Sequence, residues 1–275
     1  METNVRIGFV LFTLGVCAVS ARAVGVMPVD EVVSQAVTVG KSVITVYCED
    51  RAREVPPSLF GDFPEKDIAA TVGTNKLLIG MNFFSFTADD KLVFVDSGRG
   101  AENSPFRKLF PPLSKIRRPD VFLITHGHHD HVGGLLDGDA PRFPGTMVYI
   151  SRPEIAYWSK DEHKESAAGR VIALYGDRIV PFDFDTEILP GVWARNAVGH
   201  TPGHTVFETA DVLFIGDLLH VAALQFARPD ACTIYDMDKP ASIAMRKEWL
   251  AKAVQSGKPV AGIHIPFPGI TNYEL

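Results

Sequence analysis

A short run rich in metal-binding side chains follows an apolar segment of the chain. The run THGHHDHVGGL, at residues 125–135, places His126, His128, Asp130 and His131 within six positions. Imidazoles and carboxylates this dense gain little from burial, so a bound cation is the simplest reason to gather them. The spacing predicts that His126 and His128 point at one metal ion, and that Asp130 and His131 serve a second.

Three later motifs supply further ligands, and each follows an apolar segment. The motifs are GHTPGHT with His200 and His204, FIGDLLH with Asp217 and His220, and GIHIPFPG with His264. A histidine-rich surface loop without metal is the alternative interpretation of residues 125–135, and these additional ligands argue against it. His129 is expected to be a non-ligand that points away, and His163, in a charged run, is expected to be solvated.

Strands are needed to bring these distant motifs to one place. The apolar run at residues 121–125 predicts a buried strand before the first motif, and Gly127 lets the backbone turn sharply after it. β-branched and aromatic runs predict further strands at residues 42–47, 83–86, 92–95, 147–150, 192–198, 205–208, 212–215 and 259–263. Asp89 and Asp90 suit a hairpin turn, and residues 240–255 have the apolar periodicity of an amphipathic helix.

The order of the four motifs resembles that of the metallo-β-lactamase-fold hydrolases, whose signature is HxHxDH, then Gly-His, Gly-Asp and a late His. The resemblance runs from about residue 93 to residue 268, and its finer features resemble the methyl parathion hydrolase and lactonase branch, for example at residues 216–230. It implies an α/β protein with the four-layer αββα sandwich, formed by a single domain at residues 24–275.

The resemblance also implies seven ligands for two divalent metal ions. The first ion would be bound by His126, His128 and His200, the second by Asp130, His131 and His264, and Asp217 would bridge both. Asp96 resembles a structural aspartate that would orient a ligating histidine, and His204 would support the loop of His200. Zn²⁺ is the first choice of metal, and iron, manganese or cobalt would also suit this ligand set.

Two such cations would make the chain a metal-dependent hydrolase. A water bridging them would lose a proton near neutral pH, and the resulting hydroxide would attack a carbonyl carbon or a phosphorus atom. Asp130 or a water would return a proton to the leaving group. His220 falls where many lactonases carry Tyr and would donate a hydrogen bond to the developing oxyanion, with a buried structural imidazole as the alternative.

Three aromatic side chains are expected to border an apolar substrate pocket: Trp158, Phe226 and Phe267. Such a pocket suits a hydrophobic lactone, carboxylic ester or phosphotriester. The alternatives are a β-lactamase or a glyoxalase II-like thioester hydrolase on the same metals, an iron-loaded redox relative, and a metal-binding protein without catalysis. The chain contains no G-x-S-x-G elbow, P-loop or dinucleotide glycine pattern.

Composition agrees with a globular enzyme that acts on a small molecule. The chain has 275 residues, of which 46% are hydrophobic and 22% charged, which is enough for one large domain with a sizeable core. The net charge of −6 and the lack of a strongly basic patch argue against a nucleic-acid partner. The sequence does not decide whether the chain forms a homodimer.

Residues 1–23 are predicted to be an export signal. An apolar stretch at residues 7–19 ends in Ser-Ala-Arg-Ala, whose small residues suit cleavage before Val24. The stretch is shorter than the roughly 20 residues of a membrane-spanning helix, which predicts a periplasmic or secreted protein without stable membrane insertion. A buried N-terminal helix is the alternative. Cys48 and Cys232 would remain in the mature chain, and the sequence leaves their pairing open.

Overall fold

The computed structural model describes residues 33–74, 76–100 and 117–273, together with residues 104, 107, 108 and 110. Its strands are β1 (Val33–Val39), β2 (Ser42–Val55), β3 (Leu77–Ala88), β4 (Lys91–Val95), β5 (Val121–Leu123), β6 (Leu136–Asp137), β7 (Ala140–Pro141), β8 (Met147–Ser151), β9 (Ile179–Phe182), β10 (Thr186–Leu189), β11 (Val192–Asn196), β12 (Thr205–Glu208), β13 (Leu213–Gly216), β14 (Val260–Gly262) and β15 (Ile270–Thr271). One sheet has the order β1-β2-β3-β4-β5-β8-β9, a second has the order β10-β11-β12-β13-β14-β15, and β6 pairs with β7 in a small ribbon.

Six α-helices are described, several with the capping residues that local physics favours. They are α1 (Glu65–Val72), α2 (His129–Val132), α3 (Arg152–Trp158), α4 (Ala167–Tyr175), α5 (Ala222–Gln225) and α6 (Lys239–Ser256), with 3₁₀ turns at Pro57–Phe60, Gly133–Leu135 and Gly176–Arg178. Asp238 begins α6 by accepting a hydrogen bond from the Ala241 amide, and Gly257 ends it in the left-handed conformation. The helix predicted at residues 240–255 is therefore confirmed.

Strand direction places five chain segments at one edge of the two sheets. β4 and β5 pair in parallel, and so do β13 and β14. β12 is antiparallel to both β11 and β13, so β11 and β13 run in the same direction. The carboxyl ends of all five strands consequently lead into loops near one another, and these loops carry the predicted ligands.

The main core lies between the two sheets. The ring of Phe214, on β13, lies 5.7 Å from the ring of Phe84 and 5.3 Å from that of Phe86, both on β3 of the facing sheet. A second apolar cluster covers the outer face of the first sheet with α3 and α4, and a third covers the outer face of the second sheet with α6. These layers confirm the α/β class and the αββα order.

Nine of the fifteen described strands were predicted, and β1, β6, β7, β9, β10 and β15 were not. The hairpin turn at Asp89 and Asp90 is confirmed, because both residues have positive φ angles, of 50° and 57°. β5, β11 and β14 end two, two and one residues before the predicted strand ends. The loops that begin at these three ends carry His126, His200 and His264.

The predicted export signal at residues 1–23 lies outside the described residues. Cys48 and Cys232 are both buried free thiols, so they do not pair with each other. Within the part of the chain that the structure describes, no helix has the length and apolar character needed to span a bilayer.

Replacing Phe214 by alanine is expected to lower the free energy of unfolding by about 3–5 kcal/mol, because it removes a ring that joins the two sheets. Urea denaturation followed by circular dichroism measures this change. Val43→Ala is the control, since Val43 is an exposed apolar residue of β2 and its truncation should cost less than about 0.5 kcal/mol. Equal effects of the two substitutions would contradict this account of the core.

Candidate metal centre

The carboxylate of Asp217 lies at the centre of a group of imidazoles. Its Oδ2 atom is 3.7 Å from Nε2 of His126, 3.3 Å from that of His200, 3.2 Å from that of His220 and 3.4 Å from that of His264, and its Oδ1 atom is 3.1 Å from Nε2 of His131. The carboxylate is buried, so these five rings replace the solvent that would otherwise stabilise its charge.

Two groups of predicted ligands flank this carboxylate. In the first group, Nδ1 of His128 lies 2.9 Å from Nε2 of His126 and 3.0 Å from Nε2 of His200, and all three nitrogens are close to Asp217. In the second group, the Asp130 carboxylate lies 3.5 Å from Nε2 of His264 and 3.8 Å from Nε2 of His131. Seven side chains from four separate motifs thus converge on one site.

His220 belongs to the same cluster and forms a third group of potential ligands with Asp217 and His264. The rings of His220 and His264 stack with centroids 5.0 Å apart and an interplanar angle of 21°. Nδ1 of His220 is buried without a hydrogen-bond partner in the described structure. Nε2 of this ring faces Asp217, so His220 can act either on a bound ion or on a molecule beside it.

The inward-facing atoms have the arrangement of metal ligands. Nε2 of His131 and Oδ1 of Asp217 lie 3.1 Å apart, yet neither atom has a hydrogen-bond partner in the described structure. Two ligand atoms on one tetrahedral Zn²⁺ ion are separated by roughly the same distance, about 3.3 Å, when each bond is about 2.0–2.1 Å. A mixed nitrogen and oxygen donor set with such unpartnered atoms fits divalent cations.

The outer nitrogens of three histidines are fixed by acceptors on the far side. Nδ1 of His131 lies 2.9 Å from the Asp96 carboxylate, and Nδ1 of His200 lies 3.0 Å from that of Asp236. Nδ1 of His264 lies 3.2 Å from the carbonyl oxygen of Gly80. An acceptor at Nδ1 keeps the proton there and leaves the Nε2 lone pair directed inward, toward a metal ion.

The charges of the cluster shift several pKa values in opposite directions. Burial raises the pKa of Asp217, but the imidazoles of His131 and His264 outweigh it and hold this pKa well below its usual value. Burial lowers the pKa of His200, but Asp217 and Asp236 outweigh it and raise this pKa to about 9. Burial lowers the pKa of His128 to about 3. The imidazoles of one cluster therefore differ in how readily they bind a proton, with His200 above its usual pKa and His128 below it.

Gly216 and His204 hold the backbone of Asp217 in place. Nε2 of His204 accepts a hydrogen bond from the Asp217 amide at 3.0 Å, so Nδ1 carries the proton and donates to the Ala197 carbonyl oxygen at 3.1 Å. Gly216 has a φ angle of +50°, and a Cβ atom there would lie 2.6 Å from Nε2 of His204. His204 thus supports both its own loop and the loop of Asp217. The sequence indicated only the first of these roles.

Glu154, on α3, is a buried carboxylate that sequence reasoning missed. One oxygen accepts from the Gly127 amide at 2.8 Å and from Nε1 of Trp158, and the other accepts from the Gly203 amide at 2.8 Å and from the Thr201 hydroxyl. These four donors tie the loop of His126 and His128 to the loop of His200. An acidic residue in the first turn of a helix usually indicates only a favourable interaction with the helix dipole, so the sequence carried no specific signal.

Asp236 and Arg246 form a second buried pair that sequence reasoning missed. Besides His200, Asp236 accepts from the Thr233 amide at 2.8 Å and from Arg246 at 3.3 Å. Arg246, on α6, is fully buried and also donates to the carbonyl oxygens of Leu218 at 2.6 Å and Pro229 at 2.8 Å. The pair therefore links the loop that follows Asp217 to the imidazole of His200.

The three predicted pocket aromatics occupy different environments. Trp158 is buried beside the site, with its ring centroid 5.9 Å from that of His128. Phe226 stacks on Tyr273 at 4.8 Å in the cluster under α6, and Phe267 packs against the main core with the Arg51 guanidinium 5.0 Å above its ring. Of these three aromatic residues, only Trp158 has its ring in contact with the ring of a predicted ligand.

The two remaining histidines behave differently from each other. His129 is exposed, as expected for a position that points away from the site. His163 was predicted to be solvated, and this is wrong. Its ring is half-buried and stacks on Tyr157 at 4.3 Å and against Trp158 at 5.5 Å, because the charged run folds back over α3.

Comparison with known sequences identifies the family that this chain matches. The sequence profile of the metallo-beta-lactamase superfamily matches residues 82–255. The chain is 37% identical over 101 residues to a hydroxyacylglutathione hydrolase of Photorhabdus laumondii, and 36% identical over 104 residues to one of Serratia proteamaculans. These stretches are 37% and 38% of this chain, and 34% and 35% of those enzymes, so the chain matches about a third of the length of these curated relatives.

Solved structures resemble the chain over most of its length. The hydrolase AbOPH of the beta lactamase superfamily is 26% identical with a TM-score of 0.76, covering 88% of this chain and 94% of that one. AidC, a dizinc quorum-quenching lactonase, is 19% identical with a TM-score of 0.76, covering 88% and 93%. At this lower identity the likeness to AidC shows the fold alone.

Replacing Asp236 by asparagine is expected to weaken metal binding about 10- to 100-fold, because His200 loses the carboxylate that orients it. Competition with a chromophoric chelator measures the affinity. Asp230→Asn is the matched control, since Asp230 is on the same loop but forms an exposed pair with Arg228. If both variants bind metal as the unmodified chain does, Asp236 does not orient His200.

Proposed function

The chain belongs to the metallo-beta-lactamase superfamily, and from that premise we propose that it is a dinuclear metal-dependent hydrolase of lactones, carboxylic esters or phosphotriesters. The observation that carries the proposal is the buried Asp217 carboxylate with five imidazoles directed at it. A site of this kind, in which Nε2 of His131 and Oδ1 of Asp217 are buried without a hydrogen-bond partner, suits metal-assisted hydrolysis.

The two groups of ligands would each hold one divalent ion. One ion would be held by His126, His128 and His200, and the other by Asp130, His131 and His264, with Asp217 between them. Zn²⁺ is the proposed metal, since its preferred ligands are imidazole nitrogens and carboxylate oxygens. A pair of such ions supplies a nucleophile at neutral pH and polarises the oxygen that gains charge during hydrolysis.

The protein's own side chains would perform the remaining steps. His220 faces the centre of the site through Nε2, so it can donate a hydrogen bond to the oxygen on which negative charge develops. Asp130 is the more exposed of the two carboxylates in the cluster, at 29%, and its oxygens lie near His131 and His264. Asp130 would therefore take the proton that remains on the attacking oxygen once its bond to the substrate forms, and would pass it to the leaving group as the bond to that group breaks.

Thioester hydrolysis is a second candidate. Curated relatives that match this chain over about a third of their length are named hydroxyacylglutathione hydrolases. The same seven ligands would serve a thioester, because its carbonyl carbon accepts the same nucleophile. Thioester hydrolysis and hydrolysis of lactones, esters or phosphotriesters would differ in the part of the substrate that extends beyond the metal site.

Purified protein is expected to contain about two divalent ions per chain and to lose turnover when a chelator removes them. Elemental analysis gives the stoichiometry, and adding back Zn²⁺, Mn²⁺, Co²⁺ or Fe²⁺ separately identifies the metal that restores activity. Turnover should be assayed on a lactone, a phosphotriester, a carboxylic ester, a cephalosporin and a glutathione thioester. Less than one ion per chain under metal-replete conditions, or no turnover on any of these, would overturn the proposed function.

His220→Phe is expected to lower kcat for ester hydrolysis about 100-fold while leaving about two ions per chain, because it removes a hydrogen-bond donor but not one of the seven ligands. Steady-state kinetics and elemental analysis on the same samples separate these effects. His129→Phe is the matched control, since His129 is exposed. Loss of an ion from the His220 variant would instead identify His220 as a ligand.

A further inference from the structure

The loop after α5 exposes an unusual concentration of apolar surface. Among the described residues, five large apolar side chains are exposed, and three of them lie within four consecutive positions: Ile234 at 57%, Tyr235 at 54% and Met237 at 45%. These three residues form what we call the mouth surface. Exposed apolar side chains that cluster in this way mark a place where another molecule binds.

Two residues of the mouth surface, Tyr235 and Met237, lie beside the metal centre. The ring of Tyr235 is roughly parallel to that of His220, with centroids 6.4 Å apart and an interplanar angle of 23°. The Met237 amide donates to the carbonyl oxygen of His200 at 3.2 Å. A molecule whose reactive bond sits at Asp217 can therefore extend its remaining atoms over this surface.

The loop that carries the mouth surface is held rigidly. Asp236, in the middle of it, turns inward to His200, Ser242 and Arg246. The Ile234 amide donates to the Leu59 carbonyl oxygen at 2.9 Å, which fixes the other end of the loop. Because the backbone is fixed on both sides, the apolar side chains are directed outward before any ligand arrives, and little ordering is needed on binding.

The loop offers more contacts to an apolar partner than to a charged one, with Lys239, the first residue of α6, as the nearest following cation, close to Ile234. Residues 231–237 contain no lysine, arginine or histidine, and their one charged group, Asp236, is already engaged by Arg246 and His200. A carboxylate-bearing arm, such as the peptide of a glutathione thioester, would find no cation in this segment. An alkyl or aryl arm would bury apolar area on both sides of the contact.

We propose that the mouth surface binds an uncharged, apolar arm of the substrate, so that the favoured substrates are hydrophobic esters, lactones or phosphotriesters and not anionic thioesters. This inference rests on the proposed hydrolase function. It adds the substrate class and identifies Tyr235 and Met237 as specificity-determining residues.

The test compares p-nitrophenyl esters with acetyl, butanoyl, hexanoyl and octanoyl arms. In the unmodified protein, kcat/KM is expected to rise about twofold per methylene, somewhat less than full burial of each group would give. In Tyr235→Ser, Met237→Ser and the double variant this dependence on arm length should flatten. Val43→Ser and Leu78→Ser are matched controls, because these residues are exposed apolar side chains outside the loop, and they should retain the full dependence.

Equal dependence on arm length in all variants, or a higher kcat/KM for a glutathione thioester than for the octanoyl ester, would overturn the inference. A dimer that dissociates in the Tyr235 and Met237 variants, seen by sedimentation, would also overturn it by showing that a second copy of the chain covers the surface. If these esters, a lactone and a phosphotriester all resist hydrolysis, the proposed function fails. Calorimetry with an uncleavable octanoyl amide then decides the inference alone: weaker binding by the variants supports it, and equal binding refutes it.

Discussion

The structure depends on one buried carboxylate that five imidazoles surround. Without compensation, burying the charge of Asp217 would be too costly for a protein of ordinary stability. The compensation comes from rings that are themselves buried and that would repel one another if all were protonated. Two cations would resolve this conflict, because they would let the imidazoles stay neutral while supplying positive charge at the centre. The arrangement of the side chains and the proposed metal binding thus follow from the same electrostatic constraint.

This constraint extends outward through a second layer of buried charges. Asp96 and Asp236 fix the far sides of His131 and His200, while Glu154 joins the loops of the first ligand group. Each of these carboxylates is satisfied by several donors, which is what makes its burial tolerable. Arg246 completes the layer by neutralising Asp236. The outer α-helices therefore do more than cover the sheets. Glu154 on α3 and Arg246 on α6 help to fix the positions of the predicted ligands.

The sequence predicted the fold and the converging motifs well, since both rest on strong local signals. Apolar periodicity located most strands, and the dense spacing of His126 to His131 by itself indicated metal binding. The supporting residues could not be predicted in this way. Glu154 and Arg246 look like ordinary charged residues of surface helices, and only the packing of those helices against the sheets buries them. His163 was misjudged for a related reason, because its charged neighbours concealed the aromatic pair on which it stacks.

The loop of residues 233–237 connects metal binding with substrate choice. Asp236 faces inward and contacts His200, whereas its neighbours Tyr235 and Met237 are exposed. Position 236 is consequently constrained by His200 and Arg246, whereas the side chains at the two flanking positions are exposed. A protein built in this way can change the arm that it recognises by altering Tyr235 or Met237 without disturbing the imidazole of His200. Substrate selection thereby becomes separable from the chemistry, even though both reside on one short segment.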